Sequence, residues 1–142
     1  MAFMLPHLHT AFSVEQAVVN AGDRLVCVRF GMDYDPNCMQ MDEIIYSCFE
    51  EIKGFCDIYL VDIREVPEFN KIYDLQDPVT VMFFFRKKPI LIDSDRGNNK
   101  KLNWVMSDKR EFMDLLRVVC RGAEEGRDLV VAPKDHAGGM GY

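Results

Sequence analysis

The chain has 142 residues, 49% hydrophobic and 28% charged, with a formal net charge of −6; this is the length of one domain, with enough apolar material for its own core. An acidic balance excludes a general nucleic-acid binder, whose affinity comes mainly from Lys and Arg neutralising phosphates. The five cysteines (Cys27, Cys38, Cys48, Cys56 and Cys120) form no C-x-x-C pair and no cluster with zinc spacing. They read as core residues in a reducing compartment, cytosol or nucleus, with no disulfide and no metal site expected.

The first ten residues, MAFMLPHLHT, lack the basic and sustained apolar regions of a signal peptide. Ser13-Val14-Glu15-Gln16 is a capping-box pattern that opens a short helix running to about Asn20. Residues 24–30 (RLVCVRF) are apolar and rich in β-branched side chains, as in a buried strand. Asp35 and Pro36 then start the longest helix, with Asp at the N-cap and Pro at the first helical position. Its apolar face is Cys38, Met41, Ile44, Ile45, Cys48, Phe49 and Ile52. Its polar face is Asp42, Glu43, Glu50 and Lys53, and Gly54 stands where a C-cap is expected.

Residues 57–62 (DIYLVD) form the next expected strand, and residues 66–74 a short helix with Pro67 in its first turn. Val79–Phe85 is the longest apolar run, interrupted by Thr80; it has strand length and falls far short of a membrane span. Residues 86–88 (RKK) make a hairpin turn and residues 89–93 its returning partner. Asp108 caps a last amphipathic helix whose apolar face is Phe112, Leu115, Leu116 and Val119, closed by Gly122. Residues 123–142 read as a mostly irregular tail with one apolar patch, Leu129–Val131. Strands alternating with helices predict an α/β protein, a parallel sheet covered on both faces with an antiparallel edge from the terminal hairpin.

One tract carries a candidate chemistry. Phe30-Gly31-Met32-Asp33-Tyr34-Asp35-Pro36-Asn37-Cys38, between a central strand and the long helix, resembles the thioredoxin redox motif FWAxWCGPC with its first cysteine replaced by Asp35. The element order is also similar to that of thioredoxins, with room for a first short strand near Leu8. The resemblance implies a thioredoxin-like fold: a central mixed sheet, parallel core plus antiparallel edge hairpin, flanked by helices. The missing cysteine is the attacking thiol, which helix-terminal amides activate. As N-cap, Asp35 is expected to accept hydrogen bonds from the N–H of Asn37 or Cys38, and its charge opposes ionisation of Cys38. Thioredoxins carry a buried Asp nine residues before the second cysteine; here Arg29 stands there, read as a strand-end residue reaching solvent or a carboxylate such as Asp62. The thioredoxin cis-proline directly before a Thr is displaced or lost, because Val79 precedes Thr80 and Pro78 lies one residue earlier. Tyr34 replaces the motif Trp. No catalytic residue, cofactor or oxidoreductase activity is therefore expected; the alternative is a monothiol redox protein acting through Cys38.

Further tracts are similar to a narrower family: Met4-Leu-Pro-His-Leu-His9, Val26-Cys-Val-Arg-Phe-Gly31, Cys38-Met39 with Met41-Asp-Glu43, Ile58-Tyr-Leu-Val-Asp-Ile63, Glu65-Val-Pro67 with Phe69, Asp77-Pro78 with Thr80-Val-Met-Phe-Phe-Phe85, Gly97-Asn-Asn99, Arg121-Gly-Ala123, and Leu129-Val-Val131 with Pro133-Lys-Asp135. On these the chain resembles the DIM-type family, the thioredoxin-like 15 kDa component of the spliceosomal U5 snRNP. That resemblance implies a nuclear, non-enzymatic component of the U4/U6.U5 tri-snRNP and pre-activation spliceosome, required for pre-mRNA splicing. It would be packed among spliceosomal proteins, with peripheral snRNA contact possible, no membrane association, and a monomeric state outside the complex. Well-known members carry Cys at the position of Val79, close enough for a disulfide with the Cys38 position; Val79 forbids that bond. Glu124, Glu125 and Asp128 stand where the family tends to be basic, which argues against an RNA contact at that corner.

The expected division is a thioredoxin-like domain over residues 1–128 and a C-terminal tail over 129–142. The expected partner groove comprises Met32, Asp33, Tyr34, Asp35, Pro36 and Cys38 with Asp77, Pro78, Val79 and Thr80. A tail contact is expected at Leu129, Val130, Val131 and Pro133. Arg86, Lys87 and Lys88, with Lys100 and Lys101, are either an approach to snRNA phosphate or solvated turns. Met39 and Met41 read as core or groove lining, and His7, His9 and His136 lack metal-ligand spacing.

Overall fold

The strand β1 (Leu25–Gly31) is buried at every position, so it needs an apolar layer on each side. In the computed structural model, which describes residues 4–94 and 100–133, it lies within a five-stranded sheet of order β2-β1-β3-β4-β5. The other strands are β2 (Cys56–Asp62), β3 (Val79–Phe85), β4 (Lys88–Asp93) and β5 (Leu129–Val131). β1 pairs parallel with β2 and antiparallel with β3, β3 antiparallel with β4, and β4 parallel with β5. The expected α/β architecture with a mixed sheet forms.

Alternation along the strands sends successive side chains to opposite faces. Cys27, Val81, Phe83, Ile90 and Ile92 meet α2 (Pro36–Ile52) through Met41, Ile45, Cys48 and Ile52. They also meet α3 (Lys109–Glu124) through Phe112, Leu115 and Val119. Val26, Val28, Phe30, Met82 and Phe84 face the other way, onto Val14 of α1 (Ala11–Val19), Phe69 and Leu75. There the rings of Phe30, Phe69, Tyr73 and Phe84 make contacts with centroids 6.0–6.2 Å apart. Each fully buried Phe, Leu or Ile contributes roughly 1.5–3 kcal/mol relative to exposure.

Several boundaries differ from expectation, each for a local reason. The cap of α1 is Thr10, and Ser13 is its reciprocal partner three residues on: Ser13 N–H donates to Thr10 Oγ1 (3.1 Å) and Thr10 N–H to Ser13 Oγ (3.3 Å). Gly54 does not cap α2. The helix ends at Lys53 in right-handed conformation, and the carbonyls of Lys53 and Gly54 accept from the Arg24 guanidinium at 2.7 and 2.9 Å. The helix expected over residues 66–74 is reduced to one 3-10 turn, Pro67–Phe69. The carbonyls of Tyr73 and Asp74 accept instead from the buried Lys101 ammonium, at 2.7 and 2.6 Å.

The hairpin turn is made by Arg86 and Lys87, both with positive φ (51° and 75°), the pattern of two-residue turns that match strand twist. Its strands are internal, since β5 takes the edge beyond β4. The expected first strand near Leu8 is a single bridge, His7 to Leu60. α3 runs past Gly122 to Glu124, and Gly126 (φ 80°) turns the chain. Gly122 serves packing instead: a Cβ there would lie 2.3 Å from Val130 Cγ1, so its absence lets β5 lie against α3. The expected boundary at residue 128/129 falls where this strand begins. His136 and the Gly97-Asn-Asn99 and Lys134-Asp135 tracts lie outside the described residues.

Candidate functional site

β1 ends at Gly31 and α2 begins at Pro36, so residues 32–35 form the loop that delivers the candidate site. Gly31 permits this crossing. A Cβ there would stand 2.6 Å from Cys38 Sγ and 2.7 Å from the Pro78 carbonyl oxygen. The Met32 N–H donates to that same carbonyl (2.9 Å), joining the loop before α2 to the loop before β3. The bonds flanking Pro78 are trans.

Asp35 caps α2 as the sequence implies. Its Oδ1 accepts from the N–H of Asn37 (2.8 Å) and of Cys38 (3.2 Å), occupying donors that a thiolate would need. Cys38 itself is 0% exposed. Burial pushes its thiol up to about 12; the Arg29 guanidinium opposes this, and Asp42, Asp33 and Asp35 add to it. Desolvation thus outweighs the neighbouring Asp35 charge that the sequence points to. All five cysteines are free thiols.

Arg29 corrects a second expectation. It does not reach solvent or Asp62: it is 0% exposed and lies under α2. Nε and Nη2 donate to the two carboxylate oxygens of Asp42 (2.7 and 2.9 Å), Nη2 also to Asp33 (2.8 Å), and Nη1 to the Val61 carbonyl (3.2 Å). Burial acts against the guanidinium's charge, but the bonds to Asp42 outweigh it and hold Arg29 above its ordinary range. Burial raises the Asp42 carboxyl, and the bonds from Arg29 pull it back. Asp42, placed by sequence on the outer face of α2, is in fact buried. A signal existed: Asp42 is one helical turn from Cys38 and from Ile45, both core residues.

Asp62 has other partners. It accepts from the Arg64 side chain (3.0 Å) and backbone (2.8 Å) and from the Asp33 N–H (3.1 Å). Burial raises its carboxyl, but these bonds prevail and hold it well below the usual carboxylate range.

The ten expected groove residues are therefore of two kinds. Tyr34 (84% exposed) and Pro36 reach solvent, and Met32, Asp33, Asp35, Asp77 and Pro78 do so in part. Cys38, Val79 and Thr80 are buried and cannot meet a partner directly. Among the described residues the Thr80 hydroxyl finds no hydrogen-bond partner, while Asp77 accepts from the Asn103 amide (3.1 Å). In the tail, Leu129, Val131 and Pro133 are exposed and Val130 is buried. Of the basic residues, Lys101 is buried on backbone carbonyls and so withdrawn from any phosphate, whereas Arg86, Lys87, Lys88 and Lys100 are exposed.

Beside the α2 start lies a cleft of about 400 Å³ that sequence reasoning missed. It is lined by the buried Arg29, Asp42 and Leu60 and by His7, Asp33, Tyr34, Met39 and Glu43. The signal would have been the buried Arg29, which demands a carboxylate and thereby opens a polar site under the helix.

A family model described as "Mitosis protein DIM1" matches residues 4–136. The chain is 47% identical to the "Mitosis protein dim1" of Schizosaccharomyces pombe, over 96% of both chains. It is 49% identical to the "Spliceosomal protein DIB1" of Eremothecium gossypii, over 93% of this chain and 92% of that one. The protein of the same name in Saccharomyces cerevisiae is 46% identical, over 94% and 93%. In structure the chain is similar to Plasmodium falciparum thioredoxin (TM-score 0.63, 12% identity, 80% of this chain and 97% of that one). It is also similar to chloroplastic thioredoxin z (TM-score 0.64, 14% identity, 86% and 96%). These likenesses establish the thioredoxin fold.

Proposed function

Since the chain belongs to the DIM1 family, we propose that it is a component of the spliceosome that acts by binding proteins and performs no redox chemistry. Its place is the U4/U6.U5 tri-snRNP and the pre-activation spliceosome, in the nucleus, where pre-mRNA splicing requires it. The names of its fungal relatives support the splicing role. The absence of enzymatic activity is argued from Cys38. Disulfide exchange begins with an exposed, low-pKa thiolate. Here the retained thiol is 0% exposed, burial holds it near 12, and a carboxylate occupies the amides that would otherwise activate it. That buried thiol is the observation on which the reading rests, and it gives the monothiol alternative no support.

Partners would engage the exposed part of the groove, Met32 to Pro36 with Asp77 and Pro78, and the outward side chains Leu129, Val131 and Pro133. The net charge of −6 favours proteins over RNA as the principal contact, with any snRNA contact peripheral and confined to the exposed turn at Arg86, Lys87 and Lys88. The test is to capture partners with the tagged full chain in nuclear extract and to assay dithiol-driven disulfide reduction by the same preparation. Recovery of U5 proteins with no turnover is expected. Catalytic turnover lost in Cys38→Ser would overturn the reading, as would capture without any spliceosomal protein.

A further inference from the structure

We propose that the outer edge of β5 receives an extended segment of a protein partner as a sixth strand, joined backbone to backbone. The inference rests on the reading that this chain works by binding proteins, and it specifies the chemistry of one contact. β5 is the last strand in the sheet order, beyond β4, and its parallel register sets Leu129, Val130 and Val131 beside Leu91, Ile92 and Asp93. The Asp128 carbonyl accepts from the Leu91 N–H, and the Ala132 N–H donates to the Asp93 carbonyl (both 2.8 Å). In a parallel ladder alternate residues of a strand bond to the same neighbour, so the N–H and C=O of Leu129 and of Val131 point away from β4. Among the described residues no backbone group pairs with them.

The same residues offer side-chain contact to an added strand. Leu129 and Val131 lie on the face opposite the buried Val130 and are 40% and 69% exposed; Leu91, paired with Leu129, is 37% exposed beside them. Natural sheet edges are commonly protected by Pro, Lys or a bulge, and Leu129–Val131 has none of these. Exposed backbone groups next to apolar side chains are what strand addition uses, the backbone for affinity and the side chains for selection.

Charge and turn geometry choose the occupant. The exposed Asp93 and Asp128 flank the strip, and the adjacent Arg127 is paired with Glu125 (3.1 Å). The strand that fits therefore combines apolar residues with flanking Lys or Arg. A second copy of this chain would bring another net charge of −6 and the same acidic flanks. A tight return by residues 134–142 needs positive φ just after Val131, but Ala132 has negative φ and Pro133 is locked at about −65°.

The test uses the isotope-labelled full chain and three peptides: acetyl-Lys-Val-Thr-Val-Lys-amide, the same peptide with its three central nitrogens methylated, and acetyl-Glu-Val-Thr-Val-Glu-amide. In the free chain the Leu129 and Val131 amides are expected to exchange at least about tenfold faster than that of Ala132. Protection of both would overturn the proposal, showing residues 134–142 in place if the chain is monomeric and a second copy if it is dimeric. The first peptide is expected to shift and protect these two amides. It should bind about tenfold more tightly than the methylated peptide, which keeps the side chains and loses the N–H groups, and more tightly than the acidic one. Equal binding by either of the other peptides, or shifts located elsewhere, would overturn the proposal.

Capture from nuclear extract separates this inference from the function it rests on. Val131→Pro removes an outward N–H and leaves the bonds to β4 in place, the setting in which an edge strand tolerates proline; Val131→Thr keeps the N–H. Loss of at least one spliceosomal protein by Val131→Pro but not by Val131→Thr supports the edge. Identical recovery by wild type and Val131→Pro overturns the edge and leaves the splicing role standing. Recovery of no spliceosomal protein, with the first peptide still paired at Leu129 and Val131, overturns the splicing role and leaves the edge standing.

Discussion

At Cys38 two effects point the same way, and their sizes decide which matters. Asp35 withdraws the amides of Asn37 and Cys38 and adds a negative charge, while burial alone disfavours the thiolate most strongly. Asp35→Ala should therefore cost about 1 kcal/mol of stability through the lost cap and leave Cys38 as unreactive as before. Thiol-probe kinetics against pH check this: a Cys38 pKa falling toward about 8.5 would show that the carboxylate, not burial, silences it. Arg29 presents the opposite situation, a buried charge made tolerable by its partner. Removing one member of such a pair costs about 3–5 kcal/mol, whereas replacing both by apolar groups is nearly neutral. Asp42→Leu should thus lose about 3–5 kcal/mol, and Arg29→Met/Asp42→Leu should recover most of it. Urea unfolding measures both; a single variant as stable as wild type would mean that Asp33 alone satisfies the guanidinium.

Elements meet here through residues whose roles lie in the element opposite. Gly122 is a helix-interior glycine, so alanine would ordinarily stabilise α3 by about 1 kcal/mol. Its Cβ, however, would stand 2.3 Å from Val130 Cγ1, and β5 holds its place by a few bonds, among them Leu91 N–H to the Asp128 carbonyl and Ala132 N–H to the Asp93 carbonyl (both 2.8 Å). Gly122→Ala is expected to destabilise by about 1–3 kcal/mol, the usual cost of overpacking, and to do so locally. Hydrogen exchange should accelerate at the Leu91 and Ala132 amides and stay unchanged within the β1–β3 pairing. Uniform exchange across the sheet would place β5 within the global cooperative unit.

Across the whole molecule, what was legible in the sequence was what repeats or caps. Continuous apolar, β-branched runs marked β1 and β3, helical spacing marked α2 and α3, and Asp35-Pro36 located the start of α2 to the residue. What escaped was set by contacts between distant segments: Lys101 taking the Tyr73 and Asp74 carbonyls of the segment expected as a helix, Arg24 bonding the Lys53 and Gly54 carbonyls after α2, and Asp42 turning inward to meet Arg29. The groove was legible as a place in the fold, but not which of its residues reach solvent, because Val79 and Thr80 are closed off by packing that spacing alone does not specify.

Asp62 gathers three such segments, the end of β2, the Asp33 loop and Arg64, and its effect on stability must depend on pH. Its carboxyl is held below the ordinary range in the folded state. Its contribution is therefore fully present above the unfolded pKa of about 3.9 and is lost as pH falls toward the lower folded value. Asp62→Asn should be less stable than wild type by roughly 2 kcal/mol at pH 7, the scale of hydrogen bonds to a charged group. The gap should close progressively below about pH 4. Asp42, whose carboxyl burial raises, contributes with the opposite sign in both proteins and cancels in the difference. Urea midpoints at pH 7, 5 and 3 give the comparison. A gap that stayed constant with acidification would show that the Asp62 bonds act as neutral hydrogen bonds and that the charge does not hold these segments together.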